Sequence, residues 1–118
     1  MTNSEFEKLA DAALKGLPPF FREKLSNIVV TVRAAPAPAQ VRRFGRGLMG
    51  LYEGVPLLNR GTGYSGMMPD KITLFRKNIE AVGGNEAGIM GEVRHVVMHE
   101  IAHHFGTTDA ELRRKGLY

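Results

Sequence analysis

Apolar positions near the start of the chain recur with helical spacing. Phe6, Leu9, Ala10, Ala13 and Leu14 fall at i, i+3, i+4, i+7 and i+8, on one face of an α-helix. Ser4 is a candidate N-cap with Glu7 three residues on, and Gly16 followed by Pro18-Pro19 stops the helix. A short helical turn over Phe20 to Lys24 follows. Asn27 to Arg33 (NIVVTVR) is short and β-branched, which predicts a strand. Ala34 to Gln40 (AAPAPAQ) predicts a loop, because its prolines lack donors and fix φ. Gly47 to Gly54 and Lys71 to Lys77 predict two more strands, separated by a glycine-rich loop from Leu58 to Asp70. A helical turn at Asn78 to Val82 comes next. A long helix then begins near Glu86, with Asn85 as candidate N-cap, and runs to Phe105, where Gly106 ends it. A last short helix covers about Asp109 to Lys115. This order predicts an α+β domain: a small mixed sheet of about three strands packed on a central helix, with flanking N- and C-terminal helices.

The long helix carries the chemistry. Wound at about 100° per residue, Ile89, Met90, Val93, Val96, Val97, Met98, Ile101, Ala102 and Phe105 cover most of its circumference. That predicts a helix buried on nearly all sides. One narrow polar stripe remains, made of Glu92, His95, His99 and His103. Buried polar side chains need partners, so a histidine stripe on such a helix asks for an explanation.

His99 and His103 stand one turn apart with Glu100 after the first, giving HExxH. Imidazoles at i and i+4 can reach one tetrahedral zinc, and the intervening carboxylate can act as general base toward water activated by the metal. His95 is eight residues from His103, about 12 Å along the axis at about 1.5 Å per residue, and cannot share that ion. It belongs to a cleft wall or the surface, with Glu92 in reach at i−3. His104 lies about 140° around from His99 and points elsewhere, as a packed or supporting residue. A third ligand must come from beyond the helix. Gly106 can turn the chain, and Asp109 follows three residues later. Thr108 and Glu111 also form a capping box, which makes Asp109 an acidic first-turn residue and leaves Glu111 as its rival for the metal.

Composition narrows the rest. The chain has 118 residues, no cysteine, 43% apolar and 24% charged residues and a net charge of +4. One soluble domain, 1–118, is expected. Disulfides and thiolate ligands are excluded, and a reducing compartment fits. No window approaches the roughly 20 apolar residues of a membrane span, and the N-terminus lacks an apolar signal region. A cytoplasmic monomer is expected. The basic residues are scattered apart from Val41 to Gly47 (VRRFGRG) and Arg113 to Lys115. Arg42, Arg43 and Arg46 raise nucleic-acid binding as a weak alternative, but no nucleic-acid motif accompanies them and no such partner is expected.

The string His99 to Asp109, HEIAHHFGTTD, matches HExxHxxGxxD. It resembles the metzincin-type signature with Asp in place of the usual third His. The chain as a whole is similar to the small bacterial zincin-like metallopeptidases, or mini-zincins, over Leu51 to Glu80 as well as the motif. The resemblance implies a zincin-like fold and one Zn²⁺ held by His99, His103 and Asp109. It implies Glu100 as general base and acid in hydrolysis of a peptide or protein substrate. It also implies that the strand KITLFR lies at the cleft as the edge along which a peptide would bind. The metzincin Met-turn has no counterpart, since no methionine follows Met98. Tyr64, in the glycine-rich loop, is a candidate oxyanion or cleft residue, weighed against ordinary loop packing. The alternative function is a zinc-containing binding or regulatory module without significant peptidase activity.

Overall fold

The computed structural model describes residues 1–54, 69–106 and 109–114, with the backbone alone for residues 109, 111 and 112. Its first helix, α1 (Asn3–Lys15), starts earlier than the periodicity suggested. Two overlapping capping boxes compete in the sequence, Thr2-x-x-Glu5 and Ser4-x-x-Glu7. The first wins: the Thr2 hydroxyl accepts the Glu5 N–H at 3.1 Å, and the Glu5 carboxylate accepts the Thr2 N–H at 3.0 Å. Ser4 lies inside the helix. That choice adds backbone hydrogen bonds at no cost in capping. A short helix, α2 (Pro19–Leu25), leads to strand β1 (Ile28–Arg33).

The expected loop at 34–40 is only half a loop. Helix α3 (Pro38–Phe44) begins within it. Pro38 occupies the first helical turn, where a missing N–H costs nothing. The Gln40 side chain accepts the Ala37 N–H at 2.8 Å, and Gly45 ends the helix with φ 93°. Strand β2 (Gly50–Glu53), strand β3 (Asp70–Phe75) and helix α4 (Arg76–Gly83) follow. The long helix, α5 (Glu86–His104), begins at Asn85, whose side chain accepts the Gly88 N–H at 2.8 Å. It ends at Phe105, and Gly106 turns the chain with φ 72°. The expected last helix is α6 (Asp109–Arg114).

The sheet is mixed, in the order β1-β3-β2. β1 pairs parallel with β3, from Ile28↔Asp70 to Arg33↔Phe75, and β2 pairs antiparallel with β3, from Gly50↔Leu74 to Glu53↔Lys71. This corrects one expectation. The strand KITLFR is central and cannot be the edge along which a peptide lies; among the described residues, β2 is the edge strand beside α5. Burial explains the placement. Ile72, Thr73, Leu74 and Phe75 are all buried, so β3 is covered on both faces, as an inner strand must be. Its buried hydroxyl, Thr73, meets Thr31 of β1 at 3.3 Å.

The core gathers Phe6, Ala10 and Ala13 of α1, Leu17, Phe21, Ile72, Leu74, Ile79, and Ile89, Val93, Val96, Val97, Ile101 and Ala102 of α5. α5 touches α1, α2, α4, β2 and β3, and is the central helix. It is less enclosed than the periodicity suggested. His95, His103 and His104 are exposed, as is Phe105, which lies under the Lys24 ammonium at 4.8 Å. The side of α5 left open is the histidine side.

The contact that sets the distance between β2 and α5 is at Gly50. A Cβ built on this buried glycine would lie 2.4 Å from Val96 Cγ1 and 3.7 Å from Glu100 Cγ. No side chain fits between strand and helix there. Gly50→Ala should therefore overpack the contact and destabilise the protein by about 1–3 kcal/mol. Adding Val96→Ala should return part of that loss, which a double-mutant cycle in urea would detect as a coupling between the two sites.

Candidate active site

The site is built on the last two turns of α5 and on the edge strand. His99 and His103 project from the same side of the helix, with ring centroids 4.9 Å apart and ring planes at 28°. One helical turn rises about 5.4 Å, so the two rings lean together over it. His99 is half-buried and His103 exposed, so the pair opens toward solvent at one end. A metal ion would accept this donor set: two imidazoles on one face, one turn apart. Among the described residues no group of three His, Cys, Asp or Glu side chains is assembled as a metal cage. The Asp109 and Glu111 side chains and all of Tyr64 lie outside the described residues. The Asp109 backbone opens α6, beyond the Gly106 turn.

Glu100 sits beside the pair and is turned to the strand. Its Cγ would lie 3.7 Å from a Cβ built on Gly50, and it lines one cavity with Tyr52. Burial of the half-enclosed carboxylate raises its pKa above the ordinary glutamate value, and this outweighs the opposing pull of His99, His103 and the Tyr52 N–H. Glu100 also joins two cavities. One, of about 300 Å³, is lined by Leu48, Met49, Gly50, His95, Val96 and His99 with Glu100. The other, of about 210 Å³, is lined by Tyr52, His103 and His104 with Glu100. The first wall is largely apolar and the second polar. His95 thus takes its place on the cleft wall. His104, one residue on from His103, stacks on the Tyr52 ring with centroids 3.9 Å apart.

Sequence reasoning missed the strand's share of this site. Gly50, Tyr52 and the residue that holds Tyr52, Asp70, come from β2 and β3. Tyr52 donates its hydroxyl to Asp70 Oδ2 at 2.7 Å. A glycine opposite a valine and a tyrosine two positions past it are unremarkable as letters. Their meaning depends on a strand pairing that local pattern does not specify.

The model of one protein family, zincin-like metallopeptidase, matches residues 25–117. The chain belongs to this family. The match takes in β1, α3, the edge strand, β3 and the whole of α5, so every element of the cleft falls inside it. The family's description is that of metallopeptidases. No curated protein matches the chain. Among the described residues no helix is long and apolar enough to cross a membrane.

The raised Glu100 pKa has a thermodynamic sign. Between the unfolded and folded pKa values the native state holds the extra proton, so stability falls as pH rises through that interval. In the metal-free protein, Glu100→Gln removes a carboxylate whose ionised form is penalised by burial. Its melting temperature should exceed that of wild type at neutral pH, and the difference should vanish well below about pH 4.5. Thermal melts in chelator across that pH range measure it.

Proposed function

We propose that this zincin-like family member is a zinc-dependent peptidase in which His99, His103 and Asp109 hold one Zn²⁺ and Glu100 is the general base. The observation that carries the reading is the Glu100 carboxylate itself. It lies beside two convergent imidazoles and reaches the cleft between α5 and an edge strand. A zinc ion with only structural duties would not need this carboxylate, and such ions are usually closed by four protein ligands.

Zinc bound there would supply Lewis acidity, polarising the scissile carbonyl and acidifying the attacking water. The protein's own groups do the rest. Glu100 takes the water proton as the C–O bond forms, and gives it to the amine as the C–N bond breaks. Its raised pKa suits both halves of that task, because a base nearer to the working pH is also a better acid afterwards. The substrate backbone would extend along β2. Met49 C=O accepts the Phe75 N–H at 2.9 Å, so residues 49, 51 and 53 face β3 and the backbone groups of Gly50 face outward. An extended peptide can add to such an edge. The apolar cavity beside His99 would take a substrate side chain. A cavity of about 150 Å³ already holds benzene, so one of about 300 Å³ suits a large apolar residue next to the cleaved bond.

Two measurements test this reading. Purified protein should contain about one zinc per chain by the three-ligand scheme, and His103→Ala should lose it. Normal zinc retention in that variant would remove the site. Glu100→Gln should keep its zinc and lose cleavage of a broad peptide library by about 10²–10⁴-fold, the usual worth of a general base. A wild-type protein that binds library peptides but never cleaves them is instead a zinc-containing binding module.

A further inference from the structure

We propose that α3 and the turn after it form a docking surface for an acidic peptide segment of the substrate, outside the cleaved bond. That the segment belongs to a substrate rests on the peptidase reading above; that α3 binds acidic peptide does not.

The charges are unevenly laid out along the chain. From Lys24 to Tyr52 there is no aspartate or glutamate, although the chain has 12 of them. Within that stretch Arg42 and Arg43 are adjacent in α3, and Arg46 follows the Gly45 turn. All three are exposed, and among the described residues none of them forms an ion pair. Like charges this close repel one another, and nothing near them in the sequence neutralises them.

The helix that carries them adds nothing to the core. None of the residues of α3 is buried. Its half-buried positions, Gln40 and Val41, share one side, and at about 100° per residue Arg42 and Arg43 stand on the opposite one. Phe44 is 45% exposed, with the Arg43 guanidinium 5.1 Å from its ring. A helix of 7 residues is too short to hold itself together. This one is tied at both ends to the first turn of α4. Before it, the Ala34 C=O accepts the Lys77 N–H at 3.0 Å. After it, Asn78 Nδ2 donates to the Arg46 C=O at 2.8 Å and to the Leu48 C=O at 2.7 Å. An exposed basic helix is thus held in place from outside itself.

The same amide leads to the cleft. Leu48 lines the apolar cavity with His95, Val96 and His99. Asn78 therefore fixes the basic segment and the cavity wall to one point. Two residues of chain separate the Cα atoms of Arg46 and Leu48 by about 7 Å at most, a span that an extended peptide also covers in two residues. A peptide with one side chain in the cavity has its next few residues within reach of the arginines.

Chemistry selects the partner. Guanidinium groups take carboxylates through paired hydrogen bonds, and Phe44 offers an apolar contact beside them. The complementary segment carries acidic side chains with an apolar one among them. Nucleic acid would need a longer track of cations and more aromatic rings on which bases could stack.

Fluorescence anisotropy with the full chain reads this surface, in the Glu100→Gln background so that no cleavage interferes. The probes are a short labelled peptide of glutamates around one leucine, its glutamine counterpart, its lysine counterpart and a labelled single-stranded oligonucleotide. The glutamate peptide should bind at least about tenfold more tightly than the glutamine one at low salt. Most of that preference should go at about 1 M salt, where the screening length is about 3 Å. Arg42→Gln/Arg43→Gln/Arg46→Gln should lose the preference with an unchanged circular dichroism spectrum. Arg42→Glu/Arg43→Glu/Arg46→Glu should prefer the lysine peptide instead. Equal binding of the glutamate and glutamine peptides would overturn the proposal, as would an unchanged preference in the glutamine variant. An oligonucleotide that binds more tightly and displaces the glutamate peptide would overturn it too. In active, zinc-loaded protein, joining the acidic segment to a cleaved peptide should lower KM about tenfold at unchanged kcat, and the triple glutamine variant should abolish that gain. No gain with the segment at either end of the peptide would overturn its place in a substrate. If wild-type protein cleaves nothing, the peptidase reading fails, and the anisotropy alone decides the surface.

Discussion

Everything in the site depends on how closely β2 approaches α5. A strand and a helix normally stand apart by the depth of their side chains, and water or apolar filler occupies the interval. Here the strand offers a glycine where the helix offers Val96, and the interval closes. Once it has closed, the strand lies against Glu100 of the helix, whose Cγ would be 3.7 Å from a Cβ built on Gly50. The two cavities on either side of Gly50 and Tyr52 then become distinct chambers that share Glu100. A side chain in place of the glycine would have to push Val96 and the strand apart.

The helix meets two opposed demands. It is the main element of the core, with Ile89, Val93, Val97 and Ile101 almost wholly buried. It also has to keep His99, Glu100 and His103 at a boundary with solvent. The fold resolves this by covering α5 with α1, α4 and the sheet while leaving its C-terminal histidine side open. Glu100 sits at the margin between those regions. It is enclosed enough for burial to hinder its ionisation, and near enough to His99 and His103 for them to oppose that hindrance.

What could be read in the letters was what one helix contains. His99, Glu100 and His103 are related by a repeat of 3.6 residues, so their shared location follows from helix geometry alone. The caps at Asn85 and Gly106 were legible for the same reason. The start of α1 was missed because two capping boxes overlap, and α3 because proline stops a helix in its interior but opens one at its first turn. The strand order was not legible. KITLFR was placed at the edge, and only the burial of both its faces shows it to be the middle strand. The contact of Tyr52 with Asp70 and His104 was hidden likewise. It joins residues from three elements, and no local pattern relates them.

The glycine opposite Val96 also fixes a phase. A strand can slide along its neighbour by one residue with most of its hydrogen bonds re-formed, and each such slip exchanges its two faces. For β2 the slip would bring Met49 or Leu51 to the place where only a hydrogen atom fits. It would also turn the Tyr52 N–H into the ladder. Gly50 therefore acts as a register lock. Of the neighbouring alignments of this strand, it admits the one in which Tyr52 meets Asp70 and His104.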